Sequence, residues 1–162
     1  AYLALFGPRR GAELENSGTG QPADFSWIVH DLNDRPVSFS TFQGKTIFLN
    51  IWATWCGPCV AELPSIARLA RDPRLANKGV AFVCVSTDES SQAVSRFLKD
   101  KDWPMTFLRT EQGKIPPVFY SEGIPATFLI GSDGKIAAVQ IGSVEWDEPR
   151  VVAFLEKLAQ AR

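Results

Sequence analysis

Apolar residues along this chain cluster into short runs whose spacing alternates between that of a buried strand and that of a one-faced helix. Thr46 to Thr54 is almost continuously apolar, with β-branched and aromatic residues, and reads as a central strand buried on both faces. Val80-Ala81-Phe82-Val83-Cys84-Val85-Ser86 reads as a second buried strand, and Met105-Thr106-Phe107-Leu108 as a shorter one. Thr127-Phe128-Leu129-Ile130 and Lys135 to Ile141 flank Ser132-Asp133-Gly134, a strong hairpin turn. Near the start, Phe25 to Val29 and Val37 to Phe39 are strand candidates around an Asn33-Asp34 turn. Helical spacing begins at Cys56 and runs to about Arg71, with Leu63, Ile66 and Leu69 as its core stripe. Pro58 falls in the tolerated first turn, Pro64 should kink the interior, and Pro73 helps end the helix. Ser90 or Asp88 can cap a helix presenting Ala93, Val94, Phe97 and Leu98 on one face. Pro117 to Tyr120 suits a short helix. From about Glu148 a final helix places Val151, Leu155, Leu158 and Ala159 together. No internal repeat or low-complexity segment interrupts this order.

Composition narrows the reading. A chain of 162 residues, 45% hydrophobic, can bury one substantial core. Residues 7 to about 24 are rich in Gly, Pro, Ser, Asn and charge and read as an extended or mobile lead-in, so the expected division is 1–24 as lead-in and 25–162 as one domain. Residues 1–6 are apolar and fit the last turn of a signal or membrane anchor preceding this chain, without establishing one. The formal net charge is −1 and no basic run exceeds Arg9-Arg10, which leaves nucleic-acid binding and electrostatic membrane adhesion without a footprint. No apolar stretch is long enough to span a bilayer.

The candidate chemistry sits where the central strand gives way to the first long helix, at Cys56-Gly57-Pro58-Cys59. A strand that delivers Cys56 to a helix N-terminus offers its sulfur unpaired N–H groups and the positive end of the helix dipole, both of which stabilise a thiolate. Two intervening residues let a disulfide close within the first turn. A metal site is the competing reading, but a lone CxxC supplies two ligands where structural zinc takes four. Cys84, in the middle of an apolar strand, reads as inert packing. His30, the only histidine, has no ligand-spaced partner and reads as a surface residue.

Trp55-Cys56-Gly57-Pro58-Cys59 resembles the active-site pentapeptide of the thioredoxin superfamily, and Gly123-Ile124-Pro125-Ala126-Thr127 resembles its cis-proline loop. Glu62-Leu63-Pro64 after the cysteines, together with the extra helix and strand between Ser90 and Leu108, is similar to the extracytoplasmic TlpA/ResA-like branch associated with cytochrome c maturation. The resemblance covers roughly residues 25–162. It implies an α/β thioredoxin-like fold: a central mixed sheet flanked by helices, with an N-terminal hairpin and a central helix–strand insertion. It makes Cys56 the nucleophile and Cys59 the resolving thiol. It makes Pro125 a cis-proline exposing the backbone of Ile124 to substrate, with Trp55, Gly57 and Pro58 completing the docking surface. Trp52 is assigned to the core.

Glu62, three residues after Cys59, can share its helix face. A carboxylate there can exchange a proton with Cys59, and burial would raise its pKa toward neutrality. Cytosolic thioredoxins carry an aspartate at the position of Asn50, which cannot titrate here, so proton handling passes to Glu62. Peroxiredoxin chemistry is disfavoured because Leu49 and Ala53 stand where that signature requires Pro and Thr. A copper-delivery role would need three residues between the cysteines and a partner histidine.

The expected activity is therefore thiol–disulfide exchange without a cofactor or metal, the redox group being the Cys56–Cys59 disulfide. The resemblance implies an exported or membrane-tethered protein, reduced by a membrane thiol reductant and acting on disulfides of exported proteins such as apocytochrome c. A general disulfide reductase or isomerase, and a redox-responsive binding module, are the alternatives.

Overall fold

The computed structural model describes residues 11–161; the apolar opening at residues 1–6 lies outside the described residues. Within these residues seven strands form one mixed sheet: β1 (Ile28–His30), β2 (Pro36–Ser38), β3 (Thr46–Trp52), β4 (Val80–Ser86), β5 (Thr106–Arg109), β6 (Ala126–Ile130) and β7 (Ile136–Ile141). Their order is β2-β1-β5-β4-β3-β6-β7. Among the described residues three α-helices complete the fold: α1 (Gly57–Ala70), α2 (Ser91–Leu98) and α3 (Pro149–Gln160).

Strand β3 is central because it can be buried from end to end, and all seven of its residues are. It pairs in parallel with β4, Trp52 opposite Ser86, and antiparallel with β6, Ile51 opposite Ala126. The two-residue side-chain period divides its neighbours between two cores. Phe48 and Trp52 face the layer containing Leu63, Ile66 and Leu69 of α1 and Val151, Val152 and Leu155 of α3. Ile47, Leu49 and Ile51 face Trp27, Phe39, Phe42 and Phe119. In that second layer Trp27, Phe42 and Phe119 each lie 5.5–5.7 Å from the Phe39 ring. The added helix α2 is held to the sheet through Phe97, whose ring lies 5.5 Å from that of Trp52.

Most expected elements hold, with shifted ends. The hairpin strands are shorter than the apolar runs around them: Phe39 leaves β2 for a 3-10 turn over Phe39–Phe42, whose start is capped by Ser38. The turn between them reaches φ +62° at Asp34. Helix α1 continues past Pro64 to Ala70, and Pro73 opens a 3-10 turn. Ser90, not Asp88, caps α2, accepting from the Ala93 N–H at 3.2 Å. His30 corrects the surface assignment: it is half-buried in β1, between Pro36 and Arg109, with a buried Nδ1.

Residues 11–23 run along the outer side of β7. Gly11 bridges Glu145 and Pro22 bridges Lys135. The Val139 N–H donates to Ser17 Oγ at 3.0 Å, and Gly20 and Gln21 exchange backbone hydrogen bonds with Ile136. Gly18 is required by the crossing, since a Cβ there would collide with the Ala137 carbonyl. Ala12 and Leu14 are buried in the α1/α3 layer.

Candidate active site

Cys56 occupies the N-cap of α1 in an extended conformation, and its Sγ accepts the Cys59 N–H at 3.3 Å. The first N–H groups of a helix lack intrahelical partners, and a side-chain acceptor, usually an oxygen, often satisfies one of them; here a sulfur does. Cys56 and Cys59 are joined by a disulfide with Cα atoms 5.3 Å apart. Cys56 retains 8% of its surface and Cys59 only 1%, so the first cysteine is the more accessible of the two. Gly57 and Pro58 are exposed beside them.

The wall opposite Cys56 comes from the β6 side of the sheet. The Ile124–Pro125 peptide bond is cis, and the Ile124 carbonyl oxygen lies 3.8 Å from Cys56 Sγ. The Gly142 N–H, just beyond β7, donates to the Pro125 carbonyl at 2.8 Å and fixes that loop. Trp55 is 64% exposed next to the disulfide, whereas Trp52 is fully buried.

Beneath the cysteines lies a polar cluster inside the apolar layer. Glu62 is fully buried on the face of α1 that also carries Cys59. Its Oε1 accepts from Asn50 Nδ2 at 3.0 Å, and its Oε2 accepts from the Val144 N–H and from Trp146 Nε1, each at 3.0 Å. Asn50 Nδ2 also donates to Thr127 Oγ1 at 3.0 Å. Donors from a strand, a loop and an indole thus converge on the Glu62 carboxylate inside the apolar layer. Cys84, opposite Asn50 in the sheet, is buried and free; burial and then the charge of Glu62 push its thiol well above the ordinary range.

The structure thus brings the eight sequence-derived residues into one region formed by the start of α1 and the cis-proline loop. It adds partners that sequence reasoning missed. Val144 and Trp146 lie more than 80 residues from Glu62, and no local pattern marks them. Thr127 carried a signal only as a polar residue in an apolar strand. Among the described residues, no group of three or more His, Cys, Asp or Glu side chains is arranged to hold a metal ion.

Comparison with known proteins agrees with this geometry. The family model described as Redoxin matches residues 18–155. A thiol-disulfide oxidoreductase ResA of Bacillus cereus is 31% identical over 147 residues, covering 91% of this chain and 82% of the relative. The Bacillus subtilis ResA is 30% identical over 143 residues, covering 88% and 75% respectively. Among solved structures, a secreted Mycobacterium tuberculosis disulfide oxidoreductase homologous to Escherichia coli DsbE is 25% identical, with a TM-score of 0.63 over 86% of this chain and 100% of that one. With a thioredoxin-like sheet and a disulfide at the start of its first helix, the chain belongs to the Redoxin family and is a thiol–disulfide oxidoreductase working through Cys56 and Cys59.

Proposed function

We propose that this protein is a reductant of disulfides in exported proteins, with the paired cysteines of apocytochrome c as its preferred client. The observation that carries the reading is the buried Glu62–Asn50 pair beneath a Cys-Gly-Pro-Cys disulfide, in a chain similar to ResA along most of its length. The titratable acid stands on α1 behind Cys59, while the strand position beside it is a neutral amide.

In the reducing cycle the Cys56 thiolate attacks one sulfur of the client disulfide. A Cys56–client mixed disulfide forms and one client thiolate leaves. Cys59, losing its proton toward Glu62, attacks the Cys56 sulfur. The second client thiolate leaves and the Cys56–Cys59 disulfide is restored, so two electrons have passed from the protein dithiol to the client. A membrane thiol reductant returns them by the same exchange in reverse. Trp55, Gly57, Pro58 and the Ile124 backbone form the docking surface, the carbonyl of Ile124 accepting a client N–H in strand-like fashion. The protein works outside the cytoplasm, where such exported clients are found.

Equilibration of Cys56–Cys59 with a dithiol redox buffer, followed by thiol alkylation, tests the direction. A potential near or below about −250 mV makes the protein a reductant. A value of about −120 to −180 mV would overturn that direction and identify an oxidant or isomerase. Rates on an oxidised apocytochrome c fragment and on insulin then test the client: equal rates would replace a dedicated maturation role with general reduction.

A further inference from the structure

Asp88 lies two residues past β4 and is nearly fully buried, yet the exchange cycle above gives it no part. Its carboxylate does not cap α2, the task for which its sequence position suited it. It forks instead onto the segment that carries the cysteines. The Thr54 N–H donates to Asp88 Oδ2 at 2.9 Å, and Thr54 Oγ1 donates to Asp88 Oδ1 at 2.5 Å. Ser86 Oγ donates to the same Oδ2 while accepting the Asp88 N–H at 2.9 Å, which locks the carboxylate against its own strand. Arg109 Nη1 donates to the Asp88 carbonyl at 3.4 Å.

Thr54 lies two residues before Cys56, in the connection between β3 and α1. The same connection carries a turn bond from the Cys56 N–H to the Ala53 carbonyl at 3.2 Å, which is internal to it and ties it to nothing else. The position of Cys56 Sγ over the Cys59 N–H and opposite Ile124 therefore depends on how firmly Thr54 is held. A bidentate bond from a buried carboxylate at the end of the adjacent strand is a strong, directional way of holding it.

We propose that Asp88 is a positioning residue for thiol–disulfide exchange, acting through Thr54 to set Cys56 at the helix N-terminus. The proposal rests on Cys56 being the nucleophile, as in the cycle above. Positioning and charge have opposite signatures. If Asp88 acted only by its charge, removing that charge would make the Cys56 thiolate easier to form. If it acts by position, loosening Thr54 weakens the N–H bond to the sulfur and makes the thiolate harder to form. Glu62 on α1, the Arg109 guanidinium on β5, Asp34 at 3.6 Å from that guanidinium, and the neighbouring Glu89 are charged groups around this junction and are unchanged in the variants below.

The test is the pH profile of Cys56 alkylation in the reduced protein, with the rate of attack on a small aromatic disulfide, for wild type, Asp88→Asn, Thr54→Val and Thr54→Ser. Asp88→Asn keeps the shape but turns one acceptor into a donor. Thr54→Val keeps the Asp88 charge and the Thr54 N–H bond and removes only the hydroxyl, so it also serves if Asp88→Asn fails to fold. Both should move the Cys56 titration upward and slow exchange about tenfold. Thr54→Ser, which retains both donors, should recover most of the rate lost in Thr54→Val. A downward shift in Asp88→Asn, or no shift in Thr54→Val, overturns the proposal. A Cys56→Ser variant that still carries out exchange overturns the nucleophile assignment itself. If Cys56 reacts first in wild type and neither variant alters it, only the role of Asp88 is lost.

Discussion

Trp146 donates its indole N–H to Glu62 at 3.0 Å across 84 positions of sequence, joining the loop after β7 to the middle of α1. The same residue is fixed twice more. Its ring meets Phe48 edge-on at 4.8 Å, and its backbone N–H donates to Ser65 Oγ at 3.1 Å. The acid behind the cysteines is therefore oriented from outside its own helix.

Trp146→Phe keeps a ring against Phe48 and removes the donor. It should lower stability by about 1–2 kcal/mol, read from chemical denaturation of the oxidised protein. A loss of only a few tenths would mean that Glu62 does not depend on the indole.

Glu62→Gln presents an amide NH₂ to a site already filled by donors from Asn50, Val144 and Trp146. It should slow exchange at neutral pH by about a hundredfold, the lower end of what acid–base assistance contributes. The pH dependence of cysteine alkylation should move with it. Wild-type profiles for both rate and titration would remove Glu62 from the proton path.

Trp55→Ala removes a large exposed surface beside the disulfide while leaving the core intact. Stability should stay within about 0.5 kcal/mol, and the loss should appear as a raised KM for protein disulfides. An unchanged KM on a protein client would place docking elsewhere.

Cys84 gives a signed pH prediction. Its thiol is held above its ordinary value of 9.0 by burial, so the folded chain keeps that proton while the unfolded chain loses it. Stability contributed by this group is complete below about pH 9 and declines above it, by about 1.4 kcal/mol per pH unit. Urea titrations of the oxidised protein at about pH 8.5 and 10 should show that extra slope in wild type and not in Cys84→Ala. Parallel slopes would mean that the thiol ionises equally well in both states.

The centre of the sheet was legible from sequence because β3 and β4 are buried on two faces over most of their length and leave unbroken apolar runs. The cysteines were legible because Cys56 and Cys59 straddle a strand-to-helix change that occupies only a few residues. What stayed hidden depends on contacts between distant segments. Asp88 followed by Ser90 offers two equally good local caps for α2; only the approach of Thr54, just beyond the end of β3, decides that Asp88 faces away. Trp146 reads as one more aromatic until β7 and α1 are brought together. His30 looks like an isolated polar residue on a short strand, and its half-burial follows from β1 adding to the edge of β5.

Residues 11–23 have a consequence for how this protein meets its neighbours. An outermost strand with free backbone groups is a template on which a second polypeptide can polymerise. Along β7 those groups are already engaged by the chain itself, through Ser17, Gly20 and Gln21. A foreign strand could extend the sheet on that flank only after peeling this segment away. The segment thus closes the edge on which strand-by-strand association with another copy would begin.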